Sequence, residues 1–361
     1  MKNLNENTVN FKSDSHSVYL VGSGLLKTLP SLMSDYNLHS KSVVLITDKT
    51  VYGLYGAAII RKLKANSIEV SPQILPQKEY GKDFNILTEV LSKILKDPIS
   101  KNTVLIAIGG GAVTDAGGFI ASILLRGVRS VLIPTTLLAM VDASIGGKNG
   151  FNLNANGITV KNMIGTFYQP HLVISDTDLL KSLPQHEIKN GYGEIVKYYL
   201  AFGKTNLRHL EGGRMDSFQV EKLISECQKI KLSIVKKDPF DRLKIREVLN
   251  LGHTVGHAVE SISSGRFSHG ESVAIGCVAE SLISNELGLL SKSKLKNIIS
   301  VITNANLPIS AKNLDVGNLM KVMEFDKKNG RFVLLAGIGK TVIKSEVPKP
   351  VIIKVLKEIT K

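Results

Sequence analysis

Three of the chain's eight histidines, His253, His257 and His269, fall within a span of seventeen residues. His253 and His257 stand four apart in Asn250-Leu-Gly-His253-Thr-Val-Gly-His257, so on a helix they share one face. Upstream, Gly193-Glu194-Ile-Val-Lys197 sets a carboxylate and an ammonium three apart, again on one helical face. One carboxylate and two imidazoles are enough to hold a catalytic divalent metal with a coordination position left open. Spacing leaves open which histidines ligate, and analogy with the two-histidine helical motif pairs His253 with His257. The scattered His16, His39, His171, His186 and His209 read as ordinary core or surface residues.

A second constellation lies in the first half. Gly109-Gly110-Gly111 follows directly on an apolar run at 103–108 and opens a helical pattern at Ala112. Glycine there lets the backbone approach a ligand, and a helix N-terminus offers unpaired N–H groups to a phosphate. The spacing is not the G-x-G-x-x-G fingerprint, and a tight turn between strand and helix also accounts for it. Asp48, closing the run at 42–47, could accept from ribose hydroxyls or simply cap the next helix.

These groups need scaffolds to hold them. Strand-like runs at 17–21, 42–47, 103–108, 130–134 and 172–175 alternate with helical patterns at 51–63, 84–95 and 112–125. That alternation argues for a mostly parallel, Rossmann-like α/β sheet covered on both faces. From 177 to 290 the period is helical, as at 220–235 and 273–290, and a short β-prone segment stands at 331–335. The expectation is a polar tail at 1–15, a nucleotide-binding α/β domain at 16–176 and an α-helical metal- and substrate-binding domain at 177–361.

Composition narrows the function classes. Hydrophobic residues make up 43% and charged residues 21% of the 361, a globular balance that excludes wholesale disorder. Two cysteines, Cys227 and Cys277, can build neither a disulfide framework nor a thiolate zinc site, which fits a cytoplasmic protein. The net charge of +15 attracts anions, and phosphorylated metabolites suit it better than nucleic acid. The basic residues are scattered, tryptophan is absent, and no aromatic–basic interleaving occurs. No apolar run is long enough for a membrane span, and the polar first fifteen residues have no signal-peptide core.

Taken together, Gly109–Asp115 (GGGAVTD), Leu125-Arg126-Gly127, the run from Pro134 to Asp142, Gly146-Gly147-Lys148, Lys161-Asn162 and Phe167-Tyr-Gln-Pro170 resemble the 3-dehydroquinate synthase family of sugar phosphate cyclases. So do Gly193–Lys197, Asn250–His257 and His269-Gly-Glu271, in order, from about residue 48 to 335. The resemblance implies a dehydroquinate synthase-like fold, recycled NAD, zinc or cobalt, and a homodimer. The implied reaction converts 3-deoxy-D-arabino-heptulosonate 7-phosphate to 3-dehydroquinate and phosphate in aromatic biosynthesis. It makes Glu194, His253 and His269 the metal ligands and turns His257 toward substrate. Asp48, Glu79, Lys82, Gly110, Gly111, Ala112, Asp115, Thr135, Thr136, Asp142, Lys148, Lys161 and Asn162 would line the dinucleotide. Substrate contacts would fall to Asp142, Lys148, Lys197, Lys231, Arg246, Asn250, His257 and Lys328 (or its neighbour Lys327), with Arg126 reaching the phosphate in the neighbouring subunit. Of these, His257, Asn250, Lys148, Lys197, Arg246 and Glu194 would carry the catalysis.

The chain departs from the family pattern in places. The loop from Lys148 to Lys161 is about four residues longer than usual, a surface change that chains tolerate. Pro239 replaces a common acidic residue in the slightly lengthened stretch before Arg246, which loosens the registration of Lys231. Lys78 replaces a glycine before Glu79, and Tyr192 a smaller residue before Gly193.

Overall fold

The β-branched runs of the first half pair into one sheet in the computed structural model, which describes residues 5–10, 16–155, 158–205, 207, 217–325 and 331–361. The chain divides into two units, residues 1–183 and 184–361. In the first, the strands are β1 (Asn5–Asn10), β2 (His16–Gly22), β3 (Ser42–Asp48), β4 (Glu69–Leu75), β5 (Val104–Gly109), β6 (Arg129–Pro134) and β9 (Leu172–Asp176), with β7 (Lys148–Ala155) and β8 (Ile158–Phe167) forming a separate hairpin. Helices α1 (Leu29–Asp35), α2 (Lys49–Val51), α3 (Ala57–Ala65), α4 (Phe84–Ile94) and α5 (Gly111–Ile123) connect them. The sheet order is β1-β2-β9-β6-β5-β3-β4, parallel throughout except for β1 against β2. β5 is buried along its whole length, as a central parallel strand covered on both faces must be.

Three features differ from the sequence reading. Residues 5–10, placed in a polar tail, are an edge strand in register with β2 from Asn5↔Val21 to Asn10↔His16. An edge strand facing water on one side can be polar. β4 is the opposite edge, and its Pro72 suits that position because no ladder partner needs its missing N–H. The expected loop between Lys148 and Lys161 is the β7–β8 hairpin, so added length extends two paired strands. At the end of β9, Asp176 accepts from the backbone N–H groups of Gly24 (2.9 Å) and Leu26 (2.8 Å), which ties it to β2's exit.

The second unit holds α6 (Gln185–Phe202), α7 (Ser217–Val235), α8 (His253–Ile262), α9 (His269–Glu286), α10 (Lys292–Asn304), α11 (Val316–Phe325) and α12 (Lys349–Ile359). The β-prone segment becomes β10 (Phe332–Gly337), paired with β11 (Lys340–Lys344). α9 is buried on nearly every side, and α6, α8, α10 and α12 pack on it. No helix among the described residues is long and apolar enough to cross a membrane.

Candidate active site

The histidine motifs of the second unit open two helices. Gly252 takes a left-handed conformation (φ 77°) and His253 is the first residue of α8. His269 is likewise first in α9, where Ser268 and Glu271 form a capping box: Ser268 Oγ accepts from Glu271 N and Glu271 Oε2 accepts from Ser268 N at 3.0 Å. Glycine brings the backbones together. A methyl group at Gly193 on α6 would lie 2.1 Å from Gly270 O, and one at Gly276 on α9 would lie 1.9 Å from Gly252 O. Only bare backbone lets α6, α8 and α9 approach this closely.

At that crossing Glu194, His253 and His269 each present one donor atom, all within 4.8 Å of one another. Glu194 Oε1 lies 3.2 Å from His269 Nε2 and 3.5 Å from His253 Nε2. Donors held about 2.1 Å from a tetrahedral ion stand about 3.4 Å apart, so the set fits a divalent metal. Burial alone would push the Glu194 carboxyl up, but Lys197 and His269 bring it down to about 2. Lys197 pairs with Glu194 Oε2, and both side chains are fully buried. Burial lowers His269, yet Glu194 and Glu260 on its two sides raise it to about 10. Such a proton sits where a metal cation would replace it.

His257 is not among the three donors; its ring centroid is 5.0 Å from that of His253 and 5.9 Å from that of His269. The pairing of His253 with His257 by helical spacing is therefore replaced by one across two helices. Arg246 and Asn250 lie on the short 3-10 helix Ile245–Asn250, with Arg246 buried and donating to Pro239 O at 3.3 Å. Lys231 is buried on α7. Lys327 and Lys328 lie outside the described residues.

In the first unit β3 and β5 are neighbours whose connections leave in opposite directions, β3 to β4 and β5 to β6. The crevice beyond the carboxyl ends of such strands is where open α/β sheets bind nucleotides. Asp48 ends β3 and Gly109 ends β5. Asp48 caps the next helix, accepting through Oδ1 from Thr50 N (2.8 Å) and Val51 N (3.0 Å). Gly110 caps α5, with Gly111 and Ala112 in its first turn. Thr135 N donates to Gly109 O, and Thr136 Oγ1 accepts from Ala139 N ahead of the turn that carries Asp142.

Lys82 is buried, 2.7 Å from Asp115 Oδ2 and 2.6 Å from Asn162 Oδ1, with Glu79 at 3.8 Å. Burial lowers its pKa, but Asp115 and Glu79 more than offset that and leave it raised. Asn162 adopts a left-handed conformation (φ 55°), and Lys161 is on β8 with its side chain outside the description. Lys148 opens β7 over the Phe167 ring. Arg126 and Leu125 both have positive φ, 64° and 49°, in the tight exit from α5. Sequence reading passed over Asn152, which donates to Glu79 Oε2 at 3.0 Å, and Glu260, whose Oε2 lies 2.8 Å from His269 Nδ1. Glu260 had a signal: it follows His253 by seven residues, two turns on the same helical face.

The comparisons with known proteins agree with this layout. The models for the 3-dehydroquinate synthase N-terminal and C-terminal regions match residues 73–190 and 191–329. The chain belongs to the 3-dehydroquinate synthase family. The 3-dehydroquinate synthase of Nostoc punctiforme is 35% identical, over 96% of this chain and 98% of that protein. Among solved structures, 2-epi-5-epi-valiolone synthase from Streptomyces hygroscopicus, with NAD+ and Zn2+ bound, matches with a TM-score of 0.83 at 25% identity, over 98% of this chain and 97% of that one. A 2-deoxy-scyllo-inosose synthase complexed with carbaglucose-6-phosphate, NAD+ and Co2+ shares the fold, with a TM-score of 0.86 at 23% identity over 98% and 99% of the two chains.

Proposed function

We propose that the protein converts 3-deoxy-D-arabino-heptulosonate 7-phosphate to 3-dehydroquinate and phosphate, a lyase reaction of aromatic biosynthesis. The reaction runs through transient oxidation, phosphate elimination, re-reduction and intramolecular aldol closure. The observation that carries this reading is the convergence of Glu194, His253 and His269 in a chain of this family. When bound, zinc or cobalt would polarise substrate hydroxyls and NAD would take up and return one hydride.

The chain's own residues bind, orient and move protons. Lys197, Lys231 and Arg246 are buried cations suited to a substrate that carries both a carboxylate and a phosphate. Lys148, Asp142 and Lys328 complete the proposed contacts. His257, beside the donor set, and Asn250 would handle the proton of the C5 hydroxyl. Lys82, Asp115, Glu79 and Asn162, a closed network on the first unit, would border the dinucleotide with Asp48, Gly110, Gly111, Ala112, Thr135, Thr136 and Lys161. We also propose a homodimer in the cytoplasm, in which Arg126 reaches the partner's substrate. In support, β8 exposes Met163, Ile164 and Phe167, and a Thr166–Ser122 hydroxyl bond of 2.9 Å sets that strand beside the α5 exit bearing Arg126.

The test is phosphate release from the seven-carbon keto acid phosphate, with catalytic NAD and zinc, followed in parallel with dehydroquinate formation. Stoichiometric phosphate and dehydroquinate without net NADH, abolished by a chelator, is the expected result. Accumulating NADH would instead make the protein a dehydrogenase. Inactivity of folded, metal-loaded, NAD-binding protein would assign it another phosphorylated sugar.

A further inference from the structure

A helix begins with N–H groups that have no partner inside the helix. α8, which starts at the candidate ligand His253, has Gly252 as its cap and so has no capping side chain of its own. Nothing larger fits there: a methyl group at Gly252 would lie 2.6 Å from both Cys277 Sγ and Val273 O of α9. The cap comes from α9. Gly252 N donates to Glu280 Oε2 at 2.7 Å, and Glu280 is fully buried. The N–H groups of Thr254 and Val255 point to the same carboxyl. Its other oxygen, Oε1, has no hydrogen-bond partner among the described residues.

The consequence reaches the donor set through one short path. His253 Nδ1 lies 3.1 Å from Leu251 O, which leaves Nε2 to face Glu194 Oε1. Leu251 and Gly252 are the residues that Glu280 holds in place. Glu260 makes the reverse connection, from α8 to His269 at the start of α9. Each of the two helices thus supplies a donor histidine at its first residue, and each sends a carboxyl to the start of the other.

We propose that Glu280 is a positioning residue of the metal centre, fixing the first turn of α8 and through it the direction of the His253 imidazole. This rests on the reading of Glu194, His253 and His269 as metal ligands. Burial pushes the Glu280 carboxyl up to about 8 although the three backbone N–H groups oppose that, which favours the neutral acceptor at neutral pH. A neutral acceptor can be replaced by an amide.

The experiment compares Glu280→Gln with Glu280→Met, which is of similar length but cannot accept from Gly252. Zinc affinity is read by competition with a chromophoric chelator, and ligand geometry by the visible absorption of the cobalt-substituted protein. Glu280→Gln should hold zinc within about threefold of the parent, whereas folded Glu280→Met should bind it about 10- to 100-fold more weakly, with an altered cobalt spectrum. A folded Glu280→Met with parental affinity and spectrum would overturn the proposal. So would a Glu280→Gln as weak as the methionine variant, or a methionine variant that fails to fold, since the carboxyl would then serve charge or the fold as a whole. A parent protein that binds neither zinc nor cobalt would instead refute the metal reading beneath it.

Discussion

If helix contact sets the geometry of the donor site, Gly193→Ala should empty it without touching a ligand. The added methyl group would lie 2.1 Å from Gly270 O and 2.4 Å from Gly270 C and Cα, all backbone atoms that no rotamer change can move aside. Ordinary contact begins near 3.4 Å, so α6 and α9 must part by about 1.3 Å. Glu194 follows Gly193 and His269 precedes Gly270, so the displacement falls directly on two donors that are 3.2 Å apart. Metal–ligand distances tolerate only about 0.2 Å. The expected loss in zinc affinity is therefore about 100-fold or more. Overpacking of this kind costs about 1–3 kcal/mol of stability. Chelator competition gives the affinity, and thermal unfolding on the same sample gives the stability. A folded Gly193→Ala variant with parental zinc affinity would refute the reasoning, because the site would then be set by its ligands and not by the helix crossing.

Other perturbations probe separate parts of the molecule. His269→Ala should lose bound metal and turnover together, and stoichiometric metal retained in that variant would disprove the ligand assignment. Glu280 keeps its proton up to about pH 8 in the native state but gives it up near 4.5 when unfolded. The native state therefore binds the extra proton between those values, and stability falls as pH rises through them. Glu280→Gln removes that slope. Denaturant titrations should find it more stable than the parent by up to about 3 kcal/mol at pH 7 and no different at pH 4. A pH-independent difference would show that the carboxyl is ionised in the native protein. Lys82→Met removes the ammonium shared by Asp115 and Asn162 and should weaken NAD binding by about tenfold or more in calorimetry. An unchanged affinity would detach that network from the dinucleotide.

Much of this architecture is legible in the residues, and the exceptions have physical causes. β3, β5 and β9 announce themselves because central parallel strands must be apolar throughout. β1 and β4 do not, since edges carry polar residues and, at Pro72, an imino acid. The β7–β8 hairpin pairs two runs of mixed polarity, which carry no apolar stretch of the kind that marks the central strands. Helical spacing finds the shared face of His253 and His257, but it holds no information on how α8 crosses α9. That crossing, made possible by Gly252 and Gly276, selects His269 over His257 as the neighbour of Glu194. Glu280 was invisible for the same reason: within its own helix it reads as one more polar residue.

The place of β2 in the sheet has a consequence for how the chain comes off the ribosome. β2 is made well before its parallel partner β9, and the anchoring bond from Leu26 N to Asp176 joins residues 150 apart. At ordinary elongation rates of about 5–20 residues per second, the apolar Val18–Val21 run waits roughly 8 to 30 s for that partner to be synthesised. β1 covers one edge of it meanwhile, and the other edge stays open. The nascent protein therefore carries an adhesive strand while about 150 further residues are made, a window in which a chaperone, or another copy emerging from the same message, can reach it first.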